Sequence, residues 1–409
     1  MYNLTDKTIV LGVTGSIAIY KACDLASKLT QLGAKVDVVM SPEAQKFIAP
    51  ITFQSVTGRP CYHDMWSAPA DMPELHVALA RRADLMVIAP ATATMMARLA
   101  LGLPEELVSL TTLATRAPLV VCPAMDPNMW EHPATHGHWE TLWRRGIEIV
   151  GPEEGRLASG QMGWGRLSEV DKIIGAIRRV AGRSGDFAGK KVVVSAGGTR
   201  EAIDPVRFVG NESSGKMGFA VAEAARDRGA DVVLVTGPSA LADPYGIDVV
   251  RVTSAGEMRD AIVPAAQTAD VLVMAAAVAD YQPAEPAEQK IKRAGTDGMT
   301  LSLMPTPDIL AEVGRPNGLV KVGFAAESQD VQANARRKIA AKGLDLIAAN
   351  DITADDAGFA VDTNRVILID ATGAPEELPL LTKYEVGWRI LDRAADLAKG
   401  KHDNCRTQP

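Results

Sequence analysis

The chain has little cysteine, few aromatic side chains and no surplus of positive charge, and each shortage excludes a class of protein. Its four cysteines, Cys23, Cys61, Cys122 and Cys405, lie far apart and form no CxxC pair. That spacing argues against a disulfide scaffold, a zinc ribbon and a thioredoxin-like redox site, and the thiols are expected to be reduced core residues of a cytoplasmic protein. Aromatic residues make up 5% of the sequence, so the core must be built from small and branched aliphatics. With 43 basic residues against 50 acidic ones, the formal net charge is −7, and the basic excess expected of a nucleic-acid binder is missing. The opening stretch MYNLTDKTIVLGVTG carries an apolar run too short for a signal-peptide core or a membrane span. Neither nucleic acid nor membrane is expected as a partner.

What is present is ordinary for a globular chain: 47% hydrophobic and 23% charged residues, with 35 glycines. At 409 residues the length predicts two domains. Short apolar runs, Thr8–Val13, Val36–Met40, Leu85–Ala89, Leu119–Cys122 and Ile147–Val150, alternate with helical patterns, the first of them over Ser16–Gln31. Continuous apolar character marks strands covered on both faces, as in a parallel sheet. Arg178–Lys191 is rich in glycine and charge, the composition of a linker. The pattern then restarts with Lys191–Ser195, a helix from about Gly218 to Gly229, and strands at Val232–Val235, Val271–Ala275, Val320–Gly323 and Leu346–Ala349. The two halves share phrases, LGAKVDVVM with RGADVVLVT and ADLMVIAPA with ADVLVMAAA. Two nucleotide-fold domains are expected: residues 1–182, a linker at 183–190, and residues 191–409.

The glycine loops narrow the ligands. Gly12-Val-Thr-Gly15-Ser16 joins a strand to a helix start, where backbone N–H groups and a hydroxyl suit a phosphate. Glycine also serves packing alone in such turns, and both readings stand. The loop is not GxGxxG, and the next strand ends in Met40-Ser41 without an acidic residue for a ribose, so a mononucleotide fits better than NAD. Gly210-Asn-Glu-Ser-Ser-Gly215-Lys216 matches GxxxxGK, but Met217 stands where a P-loop needs a hydroxyl for Mg2+. His132, His136 and His138 with Glu131 follow no zinc spacing, which favours a hydrogen-bonded surface cluster straddling a helix start at Pro133. Lys338 and Lys342 share a helix face, either solvated or aimed at a triphosphate.

GVTGSIAIYK, MSPEAQKFI, LHVALARRADL, APATATMMARLALG, PAMDPNMW and GWGRL, in that order, resemble the flavin-dependent half of the bifunctional phosphopantothenoylcysteine decarboxylase/phosphopantothenate–cysteine ligase family of coenzyme A biosynthesis. GGTREAIDPVRFVGNESSGKMG, AAAVADY, QKIKR, PDIL, VGFAAE and LDLIAAND resemble its ligase half. The resemblance covers about residues 5–395. It implies a flavodoxin-like three-layer α/β/α domain followed by a Rossmann-like α/β/α nucleotide domain, and two consecutive reactions. In the first, CTP and Mg2+ activate the carboxylate of 4′-phosphopantothenate as an acyl-cytidylate, and the amine of cysteine displaces CMP. In the second, FMN supports oxidative decarboxylation and reduction to 4′-phosphopantetheine. Carried over by motif position, Met274, Ala275, Ala276, Asp280, Lys290, Pro307, Asp308, Ile309, Leu310, Phe324, Lys338 and Lys342 form the CTP site, with Asp280 toward the metal. Asn211 processes the acyl-cytidylate. Gly15, Ser16, Ser41, Thr92 and Ser109 contact FMN, and His76 is the active-site histidine. The resemblance also implies homo-oligomers, trimers or dodecamers through the flavin half and dimers through the ligase half.

Two positions depart from the family pattern. Asp126 stands where Asn is usual, and Ser159 where a cysteine normally donates the proton that completes enethiolate reduction. A hydroxyl is a far weaker acid than a thiol of pKa ~8.5, and a charged Asp126 would repel the substrate carboxylate, a situation that raises one pKa of such a pair. The expectation is that Asp126 is protonated on binding and that it, or water through Ser159, supplies the proton. The alternatives are a decarboxylase half that stops at the enethiol, and a flavin- and nucleotide-binding regulatory protein without catalysis.

Overall fold

The computed structural model describes residues 3–67, 70, 72–292, 299–316, 318–327, 331–351, 361–371 and 375–406, and the chain divides into two compact units, Met1–Gly182 and Arg183–Pro409. The first is built on a parallel sheet of β1 (Thr8–Val13), β2 (Lys35–Met40), β3 (Cys61–Tyr62), β4 (Leu85–Ala91), β5 (Leu119–Pro123) and β6 (Glu148–Ile149), in the order β3-β2-β1-β4-β5-β6. Without the two-residue edge strand β3 this is the flavodoxin order. Register sets Leu11 beside Val38 on one side and Val87 on the other. Every residue of β4 is buried, as expected of a central strand covered on both faces.

The covering helices are amphipathic. In Ile19–Gln31 the buried positions are Ile19, Ala22, Leu25, Ala26 and Leu29, one stripe at helical spacing. That helix and Val170–Gly182 pack together over one face. On the other face Val10, Met86, Ile88 and Val121 meet Leu75 and Leu79, Met95 and Leu99, Leu107 and Val108, and Leu142 from four further helices. An antiparallel hairpin, Glu153–Arg156 with Met162–Arg166, follows the sheet. The buried thiols are inert: burial pushes Cys61 up to about 12, leaving it protonated and unreactive.

The second unit has an eight-stranded sheet of β7 (Lys191–Ala196), β8 (Asp231–Thr236), β9 (Asp248–Arg251), β10 (Val271–Met274), β11 (Val320–Glu327), β12 (Leu346–Asp351), β13 (Val366–Asp370) and β14 (Pro375–Glu377). The order is β9-β8-β7-β10-β11-β12-β13-β14. The first six are parallel in the Rossmann order, and β13 and β14 extend the sheet antiparallel. One core cluster joins Val192, Val194 and Val273 to Phe219, Val221 and Ile390 of the helices Lys216–Arg226 and Lys383–Arg406. The opposite face packs on Met258 and Ile262 of Ala255–Ala266. Aliphatic strands and alanine-rich helix faces supply nearly all of this, as the shortage of aromatics requires.

The stretch Arg178–Lys191 is divided between helix and turn. The helix Val170–Gly182 runs through its first residues because Val180 is buried. Phe187 then buries in the core of the second unit and its N–H donates to Arg228 O at 3.0 Å. Among the described residues no helix is long and apolar enough to cross a membrane.

Candidate active sites

In the first unit the chain leaves β1 toward β2 and leaves β4 toward β5, on opposite sides, so the carboxyl ends of β1 and β4 open a crevice at the switch point of the sheet. Thr14 fastens that crevice. Its hydroxyl donates to Pro90 O at 2.7 Å and accepts the Thr92 N–H at 3.1 Å, tying both strand ends. Gly15 and Ser16 follow directly. A Cβ on Gly15 would lie 2.5 Å from Glu43 Cβ and 3.1 Å from its carbonyl carbon, so only glycine lets the first loop touch the loop after β2. Ser16 Oγ accepts the Ala18 N–H at 3.3 Å, and Ser41 Oγ accepts the Ala44 N–H at 3.2 Å. Thr92 N-caps the helix Ala93–Leu101 by accepting the Met95 N–H at 3.2 Å.

The hydroxyls of Ser16 and Thr92 accept in these contacts and keep a proton to give to an anion, while Ser41, 1% exposed, lies beneath them. Nearby stands the start of Ile19–Gln31, which carries no side-chain cap; its Ile19 and Lys21 N–H groups donate to Ser16 O and Ala18 O at 3.0 Å, and the positive end of the helix dipole adjoins the same loop. Gly15, Ser16 and Thr92 are thus gathered on one rim, with Ser41 below it. Ser109 differs. It is 3% exposed, and its hydroxyl donates to Glu106 O at 3.1 Å within a capping box whose Glu106 carboxylate accepts the Val108 and Ser109 N–H groups at 3.0 and 2.7 Å.

His76 lies in the first turn of Leu75–Arg82, held by buried Leu75 and Leu79, and its imidazole makes no hydrogen bond among the described residues. The far end of that helix is anchored by Arg82, which pairs with buried Asp37 at 2.8 Å and donates to Tyr62 Oη at 3.1 Å. Asp126 follows β5 and N-caps the single turn Pro127–Trp130, Oδ1 accepting the Asn128 N–H at 3.0 Å. The hairpin of residues 153–166 is stitched to this segment through Met125 N–H to Gly165 O at 3.0 Å. Ser159 sits at the other end of the hairpin, in its exposed turn. No hydrogen bond joins His76, Asp126 and Ser159 among the described residues.

The histidine cluster resolves into structure. His132 Nδ1 accepts the Ala134 N–H at the start of Pro133–Arg144, and His136 lies between Trp130 and Trp139 at ring distances of 5.4 and 6.4 Å. No cluster of three or more metal-ligating side chains occurs among the described residues.

In the second unit the switch point falls between β7 and β10. Ala276 N–H donates to Ser195 Oγ at 3.0 Å, Ala277 N–H to Gly197 O at 2.8 Å, and Ala279 N–H to Thr199 Oγ1 at 2.9 Å. Asn211 crosses from another loop, and its amide donates to Ala277 O at 3.2 Å and Val278 O at 3.3 Å. The approach depends on Gly198, where a Cβ would stand 2.7 Å from Asn211 O. Met274 is buried at the end of β10, one register row before Phe324, and Ala275 and Ala276 continue past it half-buried. Asp280 is exposed, and its carbonyl accepts the Thr306 N–H at 3.0 Å, which brings Pro307 alongside.

Asp308 caps the helix Ile309–Val313, accepting the Ala311 N–H at 3.2 Å, and pairs with Lys342. Burial pushes the Asp308 carboxyl up, but the Lys342 ammonium and the cap N–H outweigh it and hold it below the usual carboxylate range. Ile309 is buried, Leu310 half-buried, and Phe324 O accepts a bond from Lys338 Nζ at 2.8 Å. Lys338 and Lys342 share the helix Val331–Lys342 but grip different partners. Lys290 is exposed, and its neighbour Ile291 N–H donates to buried Asp204 at 3.1 Å. The Arg207 guanidinium, against the opposing effect of burial, holds Asp204 far below the ordinary range.

In place of the P-loop hydroxyl, Met217 packs against the core of the second unit. Sequence reasoning missed Thr14, Thr199 and Ser195. Their signal was a hydroxyl at the carboxyl end of an apolar strand, just before or after the glycines that drew attention.

Comparison with known proteins meets each unit separately. The Flavoprotein family model matches residues 1–182, and the model of the DNA/pantothenate metabolism flavoprotein C-terminal domain matches residues 187–397. The chain is 42% identical over 400 residues to the coenzyme A biosynthesis bifunctional protein CoaBC of Bacillus subtilis (strain 168), covering 97% of this chain and 98% of that one. It is 42% identical over 411 residues to the protein of the same name from Mycobacterium tuberculosis (strain ATCC 25618 / H37Rv), covering 96% and 97%. A crystal structure of the C-terminal domain of such a protein superposes with a TM-score of 0.46 at 38% identity, over 53% of this chain and 100% of that one.

Proposed function

Because the chain belongs to the family of coenzyme A biosynthesis bifunctional proteins, we propose that its two units divide that family's two reactions at the sites just described. The carboxy-terminal unit joins cysteine to 4′-phosphopantothenate at the expense of CTP. The amino-terminal unit then decarboxylates the product to 4′-phosphopantetheine with FMN. The observation that carries the assignment is that part of each candidate set, Gly15, Ser16, Ser41 and Thr92 in one unit and Asn211 and Ala276 in the other, lies at the carboxyl ends of the strands flanking the switch point.

In the ligase unit, Lys290, Lys338 and Lys342 offset triphosphate charge as the substrate carboxylate becomes an acyl-cytidylate. Asp280 is the one carboxylate assigned to Mg2+, which suits an ion that binds mainly through phosphates and keeps its waters. Asn211 already holds two carbonyls of the Ala277–Val278 segment, so its amide orients the acyl group without adding charge.

In the flavin unit, the hydroxyls of Ser16 and Thr92 donate to the cofactor phosphate beside the uncapped helix start. Ser41 closes the rim, and Ser109 shapes it from a buried capping box. FMN, when bound, supplies the electron sink that loss of CO2 from an unactivated carboxylate requires. An imidazole nitrogen of His76 takes the substrate proton, since no other bond occupies it. Asp126 spends Oδ1 on its cap, and Oδ2 carries the proton delivered to the enethiolate. Ser159, exposed on the hairpin turn, acts only through water.

A second reading has a specific basis: the same exposed, thiol-free Ser159 fits a decarboxylase half that stops at the enethiol. Free cysteines at Cys23, Cys61 and Cys122 agree with a reducing, cytoplasmic compartment. Exposed Ile17, Tyr20, Trp66 and Trp143 agree with homo-oligomers built through the flavin unit, and we assign dimers to the ligase unit.

One incubation tests the whole assignment. The purified yellow protein receives 4′-phosphopantothenate, cysteine, CTP and Mg2+, and products are read by mass. The saturated thiol and CMP are expected. A product lighter by two hydrogens selects the second reading, and no CTP-dependent product at all overturns the ligase.

A further inference from the structure

Lys321 interrupts the apolar strand β11 and is only 3% exposed. A lysine is almost never buried so deeply without full compensation. Its ammonium donates to Leu310 O at 2.9 Å, Gly314 O at 2.9 Å and Lys342 O at 3.2 Å. Three acceptors need three N–H groups, so the side chain is in its charged form. The acceptors are not scattered. Gly314 is the C-cap of the helix Ile309–Val313 and Leu310 lies one turn before it, and Lys342 is the last residue of Val331–Lys342. These are the carbonyls that a helix end leaves without an internal partner. The backbone of Lys321 is fixed in turn, its N–H donating to Asp345 Oδ2 at 2.8 Å and its carbonyl accepting the Asp345 N–H at 2.9 Å.

The two helices gathered by this ammonium are those assigned to the nucleotide. One begins at Asp308, and the other carries Lys338 and Lys342. Lys342 closes a ring: its carbonyl rests on Lys321 while its ammonium pairs with Asp308 at the opposite end of the short helix. Pro307–Leu310 and the lysine pair therefore have a common fixed point beneath them, in the sheet. We infer that Lys321 is a positioning residue of the ligase site, setting the spacing between the 307–310 segment and the lysine-bearing helix so that both meet one CTP molecule.

The inference rests on the assignment of CTP to this unit. Removing the ammonium takes from the three converging carbonyls the donor they share, and the two helix ends are then no longer held to one point.

The test is Lys321→Met in the full-length holoprotein. KM for CTP is expected to rise about tenfold, with KM for cysteine and the decarboxylation of supplied 4′-phosphopantothenoylcysteine unchanged. Lys321→Gln, which keeps two N–H donors, is expected to raise it less, and it gives the same readout if the Met variant does not fold. An unchanged KM for CTP, or a fall in kcat alone in proportion to lost folded protein, overturns the inference. Lys290→Met and Asp280→Asn, measured alongside, separate the two levels. If neither disturbs KM for CTP the site assignment falls, and if they do while Lys321 variants do not, only the positioning role falls.

Discussion

Removing the Thr14 hydroxyl with valine keeps side-chain volume close to constant but leaves Pro90 O and the Thr92 N–H without their shared partner. The expected cost is about 1–3 kcal/mol for each buried group left unsatisfied. Denaturant unfolding of the flavin-bearing protein should register it, together with weaker FMN retention; wild-type values for both would mean that the two strand ends need no such tie. Asp126→Asn is expected to leave CO2 release nearly intact while the enethiol accumulates, read by mass. Normal yield of saturated 4′-phosphopantetheine would show that another group donates the proton. Asp308 supplies a pH statement. Its carboxyl is depressed in the folded protein, so its contribution is present above the unfolded pKa of about 3.9 and is lost as pH falls through the lower folded value. The Asp308–Lys342 pair is therefore intact from about pH 5 to 8. Asp308→Asn should change KM for CTP without changing the shape of the ligase pH profile in that range.

Elements position what residues supply. The hairpin of residues 153–166 escaped the sequence reading because GRLASGQMGWGR lacks the apolar alternation that marks a strand. Its Ser159 could be picked out by position in a motif, but its exposed place in the turn could not. Asp204 acts similarly through a segment: Arg207, the Val206 and Arg207 N–H groups and the Ile291 N–H all converge on it. Asp204→Ala is expected to release the Lys290 segment, raising KM for CTP several-fold and exposing residues 284–292 to proteolysis while FMN content stays constant. Unchanged proteolysis would mean that other contacts hold the segment. The parallel strands were legible as uninterrupted aliphatic runs, and helix ends as glycines. The antiparallel extension by β13 and β14 was not, because VILID reads the same for either direction of pairing.

At the scale of the whole molecule, each unit has its own sheet and core. Residues 1–182 alone are expected to bind FMN, and residues 183–409 alone to ligate cysteine in the presence of CTP. The boundary can be tested more finely. Arg228 stacks on Phe187 at 4.8 Å and on Trp388 at 5.1 Å, and it pairs with Asp186 and Asp392. A ligase fragment starting at Lys191 loses Phe187 and Asp186. It should be less stable than one starting at Arg183 by about 2–4 kcal/mol, from the lost aromatic burial and weakened arginine pairing. Equal denaturation midpoints would make residues 183–190 a linker in the energetic sense as well.

The sequence by itself determined the two α/β halves, the scarcity of aromatics in their cores, and the family, through ordered motifs that need no coordinates to be read. It also excluded a dinucleotide fingerprint and a P-loop, since those depend on residue identity at fixed spacing. Only the tertiary structure decided which hydroxyls remain able to serve a ligand. Ser16 and Thr92 accept cap bonds and keep a proton to donate, whereas Ser109 has spent its own. It also decided that a lysine inside an apolar strand holds two helix ends. Both depend on hydrogen-bond partners brought together from distant positions in the chain, and a linear pattern of residue types carries no record of which carbonyl a buried donor will meet.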